Sequence, residues 1–169
     1  MLASPIYAKL GVVTQIQWFS ALLDTANFPC LLYNIPLRSG DLNQALAYRQ
    51  YCADIALYSA EYAMMPYLAQ AGVKDLVSLS SNAWPKATHK YVELSLVGET
   101  QGLFPLWQNA VDDLFQVVNP IPAKHLMHQK QIIATPFLRA TLTYLELDDN
   151  NSLLASDKLI NQWFGNPSK

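Results

Sequence analysis

Tyr33 and Arg38 are the side chains of this chain best placed for chemistry. They fall in the run Pro29-Cys30-Leu31-Leu32-Tyr33-Asn34-Ile35-Pro36-Leu37-Arg38-Ser39-Gly40. A phenol relays a proton, and a guanidinium grips a carboxylate through two parallel hydrogen bonds. A strand-end tyrosine also serves as a half-buried packing residue, so the pair alone leaves both readings open. His125 and His128 have the i, i+3 spacing of a metal pair, but no third ligand follows nearby and a solvated pair fits as well. Asp148-Asp149-Asn150-Asn151-Ser152 lacks the spacing and the glycine of a calcium loop, and reads as a helix-capping loop.

The elements that must position these groups alternate. Cys30–Tyr33 is a short apolar run entered through Pro29, and Asn34-Ile35-Pro36 ends it, because proline has no N–H for a ladder. Tyr33 therefore closes a strand and Arg38 sits in the loop beyond, the edge where α/β folds collect chemistry. Residues 2–7 read as a strand end. Thr14 is placed to cap a helix through Ala26, with Ile16, Phe19, Leu22 and Leu23 on one face. Asp41 opens a helix over 42–52, Ile55–Tyr58 is a strand, Glu61–Ala71 is a helix stopped by Gly72, and Leu76–Leu79 is a strand. Parallel strands with helical crossovers follow from that order. Residues 85–99, 103–117, 121–131 and 154–164 all read as helices. The expected division is 1–99 as βα units and 100–169 as a helical region packed on them within one domain.

Composition narrows the function. The chain has 169 residues, enough for a real core. Charged residues are 14% of it, against roughly 25% in a typical soluble domain, so part of the surface is expected to face a partner. A net charge of −2 without a Lys/Arg run argues against nucleic acid. No apolar run approaches the ~20 residues of a membrane span. The first residues lack signal-peptide design, and Cys30 and Cys52 lie in apolar segments without metal-ligand spacing, so a cytoplasmic protein with reduced thiols is expected.

Four motifs in order carry a family resemblance: Ser4-Pro5-Ile6-Tyr7, Tyr33 through Gly40, Val77-Ser78-Leu79-Ser80-Ser81-Asn82, and Asn119-Pro120-Ile121-Pro122-Ala123-Lys124. Together they resemble the dihydrodipicolinate synthase and N-acetylneuraminate lyase family, over about residues 2–147. The resemblance implies an α/β fold, a partial (β/α)8 TIM barrel with extra C-terminal helices. It also implies class I aldolase chemistry: a lysine amine condenses with pyruvate, and the resulting enamine attacks an aldehyde. In the synthase branch that aldehyde is aspartate semialdehyde, in lysine biosynthesis. No cofactor and no metal are implied. The family's oligomers imply a homo-oligomer, or docking on an intact relative through the tight-dimer surface.

The resemblance also implies site roles. Tyr33 matches the proton-shuttle tyrosine and Tyr7 the tyrosine that crosses the dimer interface. Arg38 matches the arginine that binds the semialdehyde carboxylate, and Val77 a pocket-lining strand position that contributes backbone. Against the family pattern the chain begins near the end of the fourth strand, without the first three βα units. Arg38-Ser39-Gly40 then runs straight into Asp41-Leu42, as if the arginine loop were fused to the end of the lysine motif. About 25 residues, close to the ~30 of one βα unit, would be absent there, and with them the Schiff-base lysine. No lysine stands between Lys9 and Lys74. Lys74 falls at the amino-terminal end of a strand, opposite the expected site. Lys9 has no evident desolvation to activate it, and Lys124 matches a structural lysine. The expectation is a synthase-like scaffold that is impaired or inactive, or else a non-catalytic docking module, with another pyruvate aldolase of the family as a third reading.

Overall fold

Among the described residues, short apolar runs build a parallel sheet of four strands in sequence order: β1 (Leu2–Ala3), β2 (Leu32–Tyr33), β3 (Leu57–Ser59) and β4 (Val73–Leu76). The computed structural model describes residues 2–3, 10–27, 30, 32–33, 56–60, 62–100 and 102–165. The helix expected over 42–52 lies outside them, as does most of the strand expected over 2–7. The chain divides into two compact units, Met1–Ala60 with Leu68–Val77, and Glu61–Tyr67 with Ser78–Lys169.

In the first unit every strand pair is parallel, with Leu2 level with Leu32, Tyr33 with Tyr58, and Ser59 with Leu76. Helix α1 (Val12–Thr25) links β1 to β2, the kind of crossover a parallel pair requires. Its N-cap is Gly11, in an extended conformation, and Thr14 sits inside the first turn rather than capping it. Most of the expected face is turned inward: Phe19 is buried, and Ile16 and Leu22 are half-buried. Leu23 is exposed instead, and Gln15 is buried, its side-chain amide donating to the Leu10 carbonyl at 2.7 Å. A glutamine can go inside because that bond satisfies its N–H.

The last strand is a correction. It runs over Val73–Leu76, not Leu76–Leu79. Gly72 takes a left-handed φ of +95°, open to a residue without Cβ, so the chain turns directly from helix α2 (Met65–Gln70) into the strand. At the other end Leu79 already has helical backbone angles, leading into α3 (Ser80–Ala83). The apolar alternation of Val77 and Leu79 imitates a strand that the backbone has left.

The second unit is helical: α3, α4 (Pro85–Val97), α5 (Leu103–Leu114), α6 (Ile121–Gln129), a 3-10 turn at Tyr144–Glu146, and α7 (Asn151–Gly165). Pro85 opens α4 where a missing N–H does no harm. Gly98, at φ +79°, closes it before residue 99. Its N–H bonds the Ser95 carbonyl and the Glu99 N–H bonds that of Leu94, the two bonds of a Schellman stop. Trp107 on α5 is the centre of the core. It is wholly buried and stacks on Tyr91 at 4.5 Å, while Trp84 and Trp163 meet it edge-on at 6.3 and 5.9 Å. Leu153 and Ile160 bring α7 into the same interior. No helix among the described residues is long and apolar enough to cross a membrane.

Candidate functional site

Parallel strands present all their carboxyl ends on one edge, and in sheets of this kind ligands bind there. Tyr33 is the last residue of β2, level with Tyr58 of β3. Val77 follows β4, and its N–H donates to the Ser59 carbonyl at 2.8 Å. The fold therefore brings the ends of β2, β3 and β4 to one edge, with Tyr33, Ser59 and Val77 in adjacent positions. Tyr7 and Arg38 lie outside the described residues. Ser59, buried at the end of β3, is the polar residue at this edge that sequence reasoning passed over. Its signal was its place directly after the apolar run Ile55–Tyr58.

A strand has two hydrogen-bonding edges. Those of β2 are taken by β1 and β3, and those of β3 by β2 and β4. No further strand lies between the tyrosine-bearing strand and Leu57–Ser59. No lysine among the described residues stands at the carboxyl ends of these strands. Lys74 is exposed near the start of β4. Lys124 on α6 gives its ammonium to the Phe137 carbonyl, and Lys130 pairs with Asp157 at 2.7 Å. Lys9 lies outside the described residues.

The remaining motifs serve structure. In Val77 through Asn82, the Ser81 hydroxyl donates to the Ser78 carbonyl and the Asn82 amide to that of Leu79, closing the turn into α3. Tyr91 donates its hydroxyl to the Ala63 carbonyl at 2.8 Å. Burial, helped by nearby Tyr67, pushes this phenol well above its ordinary range, so it is a fixed donor rather than a proton relay. Asp149 accepts the Asn151 N–H at the start of α7, so the acidic loop caps a helix. His125 Nε2 lies 2.8 Å from the Asn150 amide nitrogen. Among the described residues no three His, Cys, Asp or Glu side chains converge on a point where a metal could sit. A shallow groove lies on α4 and the end of α7, lined by Lys86, His89, Lys90, Glu93 and Phe164. Glu93 there faces His89 at 3.4 Å and Lys90 at 3.7 Å.

Comparison with known proteins follows the same lines. The model of the dihydrodipicolinate synthetase family matches residues 38–158. The 4-hydroxy-tetrahydrodipicolinate synthase of Francisella tularensis subsp. novicida is 35% identical over 190 residues, covering 97% of this chain and 64% of the relative. That of Wolbachia pipientis subsp. Culex pipiens is 31% identical over 188 residues, covering 96% and 64%. The chain thus spans about 64% of the length of these relatives. The 190-residue span of the first match exceeds the 169 residues of the chain, so that relative carries intervening residues that this chain lacks. Two solved dihydrodipicolinate synthases share the fold. That of Bacillus anthracis has a TM-score of 0.75 at 22% identity, over 93% of this chain and 63% of that one. That of Thermotoga maritima has 0.74 at 18%, over 96% and 65%. The fold is accordingly an α/β, partial TIM-barrel type with a mostly helical remainder, as the motifs implied. With its parallel strands, its motif order and a family match over residues 38–158, the chain belongs to the dihydrodipicolinate synthetase family.

Proposed function

We propose that this chain is a synthase-like scaffold of the lysine-biosynthetic lineage that has lost the Schiff-base nucleophile, and that it does not itself condense pyruvate with aspartate semialdehyde. The observation that carries this is the direct parallel pairing of β2 with β3, Tyr33 level with Tyr58. The family's lysine strand belongs between the tyrosine strand and the next one, and this ladder leaves it no slot. Support also comes from the lysines, none of which among the described residues stands at the carboxyl edge. Tyr33 and Arg38 would then be a relay and a carboxylate anchor without an amine to serve. An enamine route requires an amine that is both desolvated and aimed at the ketone, and Lys74, exposed near the start of β4, is neither.

The test is incubation of the folded chain with pyruvate and borohydride, followed by intact mass. An unchanged mass is the expected result. A stable pyruvate adduct overturns the proposal, and mapping it to Lys9 would mean a site rebuilt around another nucleophile.

A second reading is a docking module that joins an intact relative in the cytoplasm. The exposed apolar side chains of α1, Val12, Val13, Trp18 and Leu23, favour it, since water-facing apolar surface of this kind marks contact sites. Co-purification with a full-length synthase tests it, and an α1 that stays equally accessible in the mixture counts against it.

A further inference from the structure

Helix α7 is fastened to α6 at two levels, and the two bonds differ in kind. Midway along α7, Asp157 accepts from Lys130 at the end of α6 at 2.7 Å, from the Trp84 indole N–H at 2.7 Å and from Asn161 at 2.9 Å. At its start the partner is His125. Asn150 is the N-cap of α7, since its carbonyl accepts the first helical bond from the Leu154 N–H at 3.0 Å. Its side-chain amide nitrogen faces His125 Nε2 at 2.8 Å. An amide N–H can be received there only by an unprotonated ring nitrogen. With the amide in this orientation, a proton on Nε2 sets donor against donor and places a cation beside the positive end of the α7 helix dipole.

We propose that the first turn of α7 is seated on α6 by a protonation-sensitive latch, closed while His125 Nε2 is bare and released when acid places a proton there. Leu153, one turn into α7, is fully buried, so release exposes core surface as well as breaking one bond. Burial and the neighbouring His128 both hold the proton affinity of His125 below the ordinary imidazole range. The other charged groups on α6 and its neighbours are occupied or exposed. Asp113 of α5 accepts from Ser156 and Asp112 from Gln108. Lys124 is held by the Phe137 carbonyl, Lys130 by Asp157, and Asp149 by the Asn151 N–H. Glu146, Asp148 and Lys158 face solvent, with Tyr144 beside them on the 3-10 turn, and α3 has no titratable side chain. The latch is therefore a property of the His125–Asn150 pair.

The experiment is amide hydrogen exchange of the full chain between about pH 8 and 5, corrected for intrinsic exchange and read at residues 154–157 against 161–164. The expected result is protection of the first stretch that falls with acid while the second holds, a fall absent in His125→Gln. Asn150→Asp should reverse the sign, because a carboxylate attracts the protonated ring. A flat profile in the unmodified chain overturns the proposal. So does an identical fall in His125→Gln, or an Asn150→Asp chain that still loosens in acid.

Discussion

Tyr33 of β2 and Tyr58 of β3 stand level in one parallel ladder, with β4 bonded to the far side of β3. The two strands are thus direct neighbours, the arrangement expected of a chain without the lysine strand. β3 is consequently an interior strand, with both its edges occupied. A proline at Tyr58 has no N–H for the ladder and should destabilise the chain by about 1–3 kcal/mol, the cost of a buried backbone partner left unpaired. Urea denaturation checks this, and a Tyr58→Pro chain with an unchanged midpoint would show that β3 lies at an edge.

Trp107 is the largest fully buried side chain among the described residues, yet its indole N–H is buried without a hydrogen-bond partner. Trp107→Ala should cost about 3–5 kcal/mol, through a cavity among Tyr91, Trp84 and Trp163. Trp107→Phe keeps the ring stack and deletes the unsatisfied donor, whose burial alone costs about 1–3 kcal/mol. It should lose far less. The two denaturation midpoints give the comparison.

Asp157 gathers the Trp84 indole, the Lys130 ammonium and the Asn161 amide. Asp157→Leu strands two of these donors in a partly buried place and should cost about 2–3 kcal/mol. Lys130→Met should be milder, since Asp157 keeps two neutral donors, the Trp84 indole and the Asn161 amide. If Lys130→Met proves the worse of the two in thermal melts, the ion pair outweighs the indole bond.

The buried phenol of Tyr91 makes stability fall in alkali. Its folded-state pKa is raised, so above the ordinary value near 10 the unfolded chain releases a proton that the folded chain retains. The contribution is complete below pH 10 and declines as pH rises beyond it. Tyr91→Phe should flatten that decline. At neutral pH it should cost about 1–2 kcal/mol, through the Ala63 carbonyl left without its donor. Urea midpoints at neutral and alkaline pH, in both chains, decide it.

Much of this protein was legible from residues read in order. Periodicity and breakers act over a few residues, so the alternation of apolar runs with helices, the stop at Gly72 and the helices from Pro85 onward could be read locally. The motif order Tyr33 through Gly40, Val77 through Asn82 and Asn119 through Lys124 placed the family, and the lysine-free stretch from Lys9 to Lys74 is a plain fact of composition. What depended on distant partners was not legible. Thr14 looks like a cap, and only the tertiary fold put Gly11 there and turned Gln15 inward. The strand near Val77 began early because Gly72 could take a positive φ. The pairing of Tyr33 with Tyr58, the meeting of Asp157 with Trp84 and the contact of His125 with Asn150 each join residues far apart in the chain. Hydrogen bonds and burial of that range are properties of the packed molecule, and no local pattern of residues encodes which partners will meet.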